Sequence, residues 1–397
     1  MISVEEAVVR IVAAFAPTES EKVAVGEAMG RVLAADVLAR SSQPPFAVSS
    51  MDGYAVRAAD VVAAGAVLRV IGAAPAGHPF AGTVSAGEAV RIFTGGMMPD
   101  GADGVVIQED AQAESNTVSF KAAATAGQYI RPAGLDFAKE DVLAAKGRRL
   151  GARDLSLIAA GDVAQISVRR RPRIVFVATG DELSLPGAPR KPGGIVASSG
   201  YALAAMIARW GGEAVDMGIL PDTAEAIASI ADKAEDAELI VTLGGASVGD
   251  HDLVQRALGP KGFTLDFWRI AMRPGKPLIF GKLGARPLLG LPGNPVSTLV
   301  CAMLFLKPAI AAMLGTTDDT AVATAKLAAP LKENDNRQDY LRARIWTQDG
   351  KRFVEAFAVQ DSSMLSALAG ADALIIRKPF APAAEAGANV PILLLDD

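Results

Sequence analysis

The sequence predicts a multidomain α/β protein. It should have a central three-layer αβα domain with a mostly parallel sheet, an inserted β-rich domain, a helical linker domain and a small C-terminal β domain. Three observations predict it. The chain is 397 residues long, which suits roughly 2–4 domains better than one. From residue 173 onward, strand-like apolar runs alternate with helical patterns, the grammar of a parallel sheet covered on both faces. On either side of that stretch, short β-type runs are cut by turn residues. The expected boundaries are 1–44 with 137–170 for the helical linker domain and 45–136 for the inserted β-rich domain. The α/β domain is expected over 171–318 and the C-terminal β domain over 319–397.

Bulk properties narrow the function classes. Hydrophobic residues make up 51% and charged residues 21%, a globular composition able to bury real cores. A net charge of -5 supplies no basic field for nucleic acid or an anionic membrane. The one basic run, RRRPR (169–173), stops at IVFVA and marks a solvated domain junction. Cys301 is the single cysteine, so no disulfide forms within the chain, and a reducing, cytoplasmic setting is expected.

The elements follow in order. MISVEEAVVRIVAAF places Ser3 three residues before Glu6, a capping-box start, and repeats Val4, Val8, Ile11 and Phe15 on one face. It is an amphipathic helix without the basic n-region of a signal peptide. A second helical pattern is expected in GEAMGRVLAADVLA (26–39). The paired prolines of SSQPPFAVSS break it, and VLRVIG, AVRIF, GVVIQED and NTVSFKA then read as strands divided by turns. ARDLSLIAAGDV returns to a helical pattern, which makes the β domain an insertion. RIVFVA precedes the helical YALAAMIARWGG, and EAVDMGIL precedes TAEAIASIADKAED. AELIVTL and RPLLGLPGNP each run from strand into loop, the second followed by a long apolar helix. The longest uncharged run, 287–306, contains three prolines and Asn294, which argues against a transmembrane span. YLRARIW, RFVEAFAV, DALIIRK and NVPILLL complete the terminal β domain.

In a parallel α/β sheet, ligands sit outside the carboxyl ends of strands. Here those ends read ATGDEL (178–183), LGGASVGDHD (243–252) and GLPGNPVS (290–297), with MRPGKP (272–277) a further glycine loop. Asn294 suits an N-cap and Pro295 the first helical position, which leaves amide groups for an anion; ordinary capping of a core helix is the plain alternative. In GGASVG, small residues let backbone amides approach a ligand. A P-loop is rejected because Asp250 and His251 replace its Lys and Ser/Thr. The G-x-S-x-G elbow is rejected because the only later histidine is His251, in the same loop. His251 alone reads as a polar loop residue. Asp250 and Asp252 share a face in an extended segment and suit a hard divalent cation, or simple turn roles. One cysteine and two histidines disfavour zinc. Asp181 and Glu182 occupy another strand exit, and Lys276 could meet a phosphate or be a plain loop lysine.

A second group lies in the β domain: Met51, Asp52, Gly53 and Tyr54 in a turn, then Thr94, Gly95 and Gly96, then Gln108, Glu109 and Asp110, and finally Asp136 after RPAGL. Taken singly, each is a turn signal. These residues alone carry the reading as far as an anion-plus-cation site on an α/β domain.

Together the stretches MDGYAV, RIFTGGMMPDGADGVVIQED, TGDEL, LGGASVGDHD, MRPGKPL and GLPGNPVS resemble the MoeA/gephyrin E-domain family, the molybdopterin molybdenumtransferases. The likeness runs from about residue 3 to the C-terminus, in the family's order and spacing. It implies a homodimer whose cleft joins the α/β domain of one subunit to the inserted domain of the other. The implied reaction joins molybdate to adenylylated molybdopterin with release of AMP, assisted by Mg²⁺. By resemblance, Asp52, Asp136, Asp252 and Lys276 would be catalytic. Substrate would be bound by Thr94, Gly95 and Glu109, by Thr179, Gly180, Asp181 and Glu182, and by Gly244, Gly245, Ser247 and Gly249. Pro274, Gly275, Pro292, Gly293, Asn294 and Pro295 would complete that set. Asp181, Glu182, Asp250 and Asp252 would hold the cation.

Three departures from the family pattern stand out. Gly134-Leu135-Asp136 replaces Gly-Glu-Asp, Ala197-Ser198-Ser199-Gly200 replaces an Asp-Ser/Thr-Asn segment, and Phe46-Ala47-Val48-Ser49 replaces Phe-Asp-Asn-Ser. They motivate an alternative, a non-catalytic carrier of molybdopterin or its cofactor, with a scaffold ranked third. Apo-molybdoenzymes or their chaperones are further expected partners; nucleic acid and membrane are not.

Overall fold

The computed structural model describes residues 1–244, 256–317 and 322–395. The chain divides into two compact units, one formed by Met1–Glu21 with Arg169–Asp397, the other by Lys22–Val168.

The first unit is built on a six-stranded sheet. Its order is Glu213–Leu220, Arg173–Thr179, Leu239–Leu243, Arg286–Leu291, Pro277–Leu283 and Phe263–Arg269. The first four strands run parallel, 277–283 runs against them, and 263–269, antiparallel to 277–283, runs with them again. The sheet is therefore mixed, with a parallel half and an antiparallel edge. A tight turn at Gly284 (φ 62°) joins 277–283 to 286–291, and a connection that short can only make a hairpin.

Strand residues alternate between faces. Val175, Val177, Ile240 and Leu288 pack beneath the short helices Ala224–Ala228 and Ile230–Lys233 through Ile227, Ile230 and Ala234. On the Phe176 side lies the helix Ser199–Arg209, close enough that Gly200 would touch the Phe176 ring with a β-carbon.

The helix running from Pro295 to Met313 is long and apolar enough to cross a bilayer, but it is mostly buried and serves as a core helix. Its middle turn, Ala302–Leu306, widens to π geometry ahead of Pro308, which has no N–H to donate. The N-terminal helix Val4–Val12 packs its Val4–Ala7–Ile11 face near this segment, and Ser3 Oγ accepts from the Glu6 N–H as the sequence expects. That packing puts the helix in the first unit, although the sequence groups residues 1–44 with 137–170.

The same unit carries a second sheet, ordered Met272–Arg273, Gln338–Gln348, Lys351–Ala356, Val322–Leu327, Asn389–Leu394 and Ala373–Arg377. A further pairing of 338–348 with 373–377 curls it on itself. All four expected terminal strands are present.

In the second unit, Gly104–Ile107, Gly53–Val56, Glu88–Ile92, Val67–Ala74, Thr117–Phe120 and Ala111–Glu114 form a sheet in that order. A helix spans Ala152–Ala160, as expected. The helical pattern expected over 26–39 is not a helix: only a 3₁₀ turn at Val25–Glu27 and a short strand at Val37–Leu38 form there. Gly30 takes φ 73°, which a right-handed helix excludes, and the backbone instead bonds Gly30 N–H to Leu150 and Leu33 N–H to Arg148.

Candidate functional site

Parallel pairing fixes which loops share an edge. Ala178, Leu243 and Leu291 lie side by side at the ends of their strands, so the exits at Thr179, Gly244 and Pro292 open together. The strand 277–283 runs the other way and enters at the same edge, with Ile279 opposite Gly290, which brings the 272–277 loop alongside. Leu220 pairs with Thr179, so the turn at Pro221–Asp222 joins them. These loops enclose an open cavity of about 410 Å³ lined by Thr179, Glu182, Asp222, Gly244, Gly293 and Asn294, with Pro292, Pro295 and Pro277 beside them. Leu183, Ile195 and Val196 form an opposing apolar wall.

The glycines have separate duties. Gly244 sits at φ 94°, and a β-carbon there would lie 2.9 Å from the Thr179 carbonyl oxygen. At Gly293 the β-carbon would approach Gly244 Cα to 3.5 Å. Two strand exits thus meet glycine to glycine, and their bareness serves loop packing as well as access to the cavity. Thr179 is buried at the cavity edge, and its Oγ1 has no hydrogen-bond partner among the described residues. Glu182 folds back over Gly180, where a β-carbon would lie 2.7 Å from its carboxylate. Asp181 accepts from the Asp222 N–H at 3.3 Å, so it braces the neighbouring turn.

Asn294 and Pro295 occupy the cap and first helical positions as expected, but the Asn294 side chain makes no cap bond. Its amide donates to Ser362 Oγ at 2.9 Å, and the Val296 N–H donates to the Ser362 carbonyl at 3.1 Å. One of the amides expected to await an anion is therefore taken by the 360–363 loop, between the strand Lys351–Ala356 and the helix Leu365–Ala369. Near that segment, Arg342 is 1% exposed, and its Nε and Nη2 have no hydrogen-bond partner among the described residues. Burial pushes its guanidinium down, against the attraction of Asp361. A guanidinium buried in this way is desolvated charge held inside the C-terminal sheet.

Lys276 is exposed beside Pro277, while Pro274 and Gly275 are buried beneath it. Gly275 has φ 108° and rests on Cys301, whose Sγ would lie 2.4 Å from a β-carbon there. Residues Gly245, Ser247, Gly249, Asp250 and Asp252, with His251, lie outside the described residues. Among the described residues, no three His, Cys, Asp or Glu side chains gather as a metal site. Around the cavity the acids Glu182 and Asp222 offer oxygen donors only, which suits a hard divalent ion better than zinc.

In the second unit, the strands 53–56, 88–92 and 104–107 lie side by side and bring three sequence stretches together. Asp52 Oδ1 accepts from Thr94 N–H at 2.7 Å and from Thr94 Oγ1 at 2.8 Å. These bonds, with the nearby Arg91 charge, hold the Asp52 carboxyl below the usual range. Arg91 donates to Gly53 O and to Gln108 Oε1, and lies 5.0 Å from the Tyr54 and Phe93 rings. Gln108 in turn reaches Glu109 at 3.5 Å. Gly95 takes φ 81° and donates to the Ser49 carbonyl. Asp136 lies on another stretch, exposed, with its N–H on the Gln43 carbonyl.

The departures fall in different environments. Ala197–Gly200 line the sheet-edge cavity and Leu135 is exposed. Ala47 and Val48 face inward, Ala47 against a hydrophobic cluster with Ala55, Val90 and Ile92, so that change is absorbed in packing.

Asp222, Arg91, Arg342 and Ser362 were not anticipated. Asp222 had a readable signal, a Pro-Asp-Thr turn directly after a strand. Arg342 comes from the strand Gln338–Gln348 and Ser362 from the loop before the helix Leu365–Ala369, and no local pattern announces them.

Three sequence profiles match the chain. They are the MoeA N-terminal region (domain I and II) over residues 2–161, a probable molybdopterin binding domain over 175–312 and the MoeA C-terminal region (domain IV) over 324–395. The molybdopterin molybdenumtransferase of Haemophilus influenzae is 34% identical over 385 residues, covering 95% of this chain and 94% of its own. The molybdopterin molybdenumtransferase of Bacillus subtilis is 33% identical over 407 residues, covering 99% and 94%. A crystal structure of the molybdopterin biosynthesis MoeA protein from Pyrococcus horikoshii superposes with a TM-score of 0.87 at 26% identity, over 100% of both chains.

Proposed function

The chain belongs to the MoeA family and acts in molybdenum cofactor biosynthesis as a molybdopterin molybdenumtransferase; we propose that its substrate is adenylylated molybdopterin, joined to molybdate with release of AMP. One observation carries the finer reading. The strand exits at Thr179, Asp222, Gly244 and Asn294 ring a single cavity, and the lysine loop arrives at the same edge.

In this proposal, the backbone of Gly244, Gly293 and Asn294, with the Thr179 hydroxyl, receives the phosphate-bearing end of the pterin. Gly180, Pro274, Gly275, Pro292 and Pro295 shape the loops, and Gly245, Ser247 and Gly249 extend the contact. Lys276 supplies positive charge to the diphosphate. Asp52 (held ionised by Thr94), Asp136 and Asp252 each take a charge-stabilising role, and Thr94, Gly95 and Glu109 contribute further substrate contacts. Catalysis is positioning and charge stabilisation, because molybdate is itself the incoming group. A divalent cation, Mg²⁺, would be held by Glu182 and Asp181 with Asp250 and Asp252, and would neutralise diphosphate charge. Asp181, spent on the Asp222 turn, is the weaker of the described pair.

We further propose a homodimer, a cytoplasmic location, delivery of product to apo-molybdoenzymes or their chaperones, and the four-domain division with boundaries at 44/45, 136/137, 170/171 and 318/319.

The test is AMP release by the purified protein given adenylylated molybdopterin and molybdate. Molybdate-dependent turnover is expected, and Asp252→Asn should cut it by roughly 100-fold while leaving the melting temperature near the parent's. Tight binding without molybdate-dependent AMP release would instead make the protein a carrier.

A further inference from the structure

We propose that Asp339, in the C-terminal sheet, and Asp335, in the loop before that strand, are positioning residues for the Lys276 loop, acting through Arg273. The inference rests on the reading of Lys276 as a substrate-facing cation. Two residues of the 272–277 loop belong to the C-terminal sheet: Met272 pairs with Gln338 and Arg273 with Asp339, in parallel. The Gln338 N–H donates to the Ala271 carbonyl at 2.8 Å and starts this ladder. Beyond the backbone, Arg273 Nε meets Asp339 Oδ1 at 3.0 Å and Arg273 Nη2 meets Asp335 Oδ2 at 2.8 Å. Asp339 is only 8% exposed, so its half of the contact is anchored in the interior, while Arg273 and Asp335 are exposed at 45% and 47% and meet at the surface.

Three residues later, the loop closes on itself. The Ile270 N–H donates to the Lys276 carbonyl at 3.1 Å, and Gly275 rests on Cys301 and Met272 with no room for a β-carbon. The lysine backbone is thus gripped at one end by a two-carboxylate clamp and blocked from below by sulfur. A guanidinium held at two nitrogens has a fixed orientation, which a single contact would not impose. Loosening that grip frees the loop at its Arg273 end, and small misplacement of a charged group costs rate more than binding.

The experiment compares Asp339→Asn, Lys276→Met and the double variant. The readings are molybdate-dependent AMP release and amide exchange of the full-length protein. Asp339→Asn is expected to lower kcat by roughly tenfold with KM for adenylylated molybdopterin within about twofold. It should also speed exchange of the Ile270 amide. In the Lys276→Met background, it should cause no further loss. Parental kcat together with unchanged Ile270 exchange overturns the proposal, as do losses that multiply in the double variant. Should Asp339→Asn fail to fold, Asp335→Ala, at the exposed end of the clamp, is read by the same criteria. Full turnover by Lys276→Met sinks the reading of the lysine itself. Faster Ile270 exchange in Asp339→Asn then still supports the clamp.

Discussion

Asp52 shows how much one residue's chemistry depends on a neighbour remote in sequence. Both of its Thr94 bonds end on the same carboxylate oxygen, one from the backbone and one from the hydroxyl. Thr94→Val keeps the side-chain shape and the N–H but removes the hydroxyl donor, so the Asp52 pKa should rise toward its ordinary value of about 3.9. Carboxyl-carbon NMR titration measures this directly, and an unmoved titration would show that the hydroxyl contributes nothing. The linkage sign is set by the depressed pKa: its contribution to stability is present above the unfolded value and lost as pH falls through the folded one. Any stability gap between parent and variant should therefore be present at neutral pH and close in acid. Read from their local patterns alone, Asp52, Thr94 and Glu109 carry no specific signal; the family resemblance is what groups them as site residues. Their meeting is a matter of strand register between 53–56, 88–92 and 104–107, which no local spacing encodes. Arg91, the cation among them, sits in a plain strand pattern and carries no mark of its role.

Elements with their own punctuation were legible. Asn294-Pro295 announced the start of the long core helix, and Ser3 with Glu6 announced the first one. Where a glycine needed left-handed backbone, as at Gly30, the apparent helical period misled. The strands 263–269 and 277–283 were not anticipated because glycine and proline loops crowd around them and blur their ends. The helix 152–160 tests the capping argument. Its N-cap is Gly151, which has no side chain to offer, so Asp154 reaches back to the Gly151 N–H at 2.8 Å while Arg148 Nε meets its other oxygen at 2.8 Å. Burial pushes the Asp154 carboxyl up, yet the Gly151 bond and Arg148 outweigh it and hold it below the ordinary value. Asp154→Ala should cost about 1 kcal/mol at neutral pH. Because the pKa is depressed, that cost should fade as pH drops below about 3.9 through the folded-state value. Urea unfolding at pH 7 and pH 3 checks both halves, and an equal cost at the two values would remove Asp154's charge from the explanation.

At the scale of the whole molecule, the sequence showed a β-rich stretch interrupting a helical one and a change of grammar at 173. It did not show that the first 21 residues pack with everything after 168, since an amphipathic helix does not name its partner. The contiguous unit Lys22–Val168 holds closed clusters of its own, one around Leu33, Leu150 and Ile158, others around Tyr54, Phe120 and Ile92. A segment with both ends at one unit boundary and complete cores has what independent folding requires. Expressed alone, residues 22–168 should unfold cooperatively, with a calorimetric transition matching one of two in the full chain. Removing residues 1–21 should lower only the other transition, because Val4, Ala7 and Ile11 bury against the long helix of that unit. A single transition in the full chain that shifts as a whole on this truncation would show that the two cores are thermodynamically one. An isolated 22–168 fragment without cooperative unfolding would lead to the same conclusion from the opposite side.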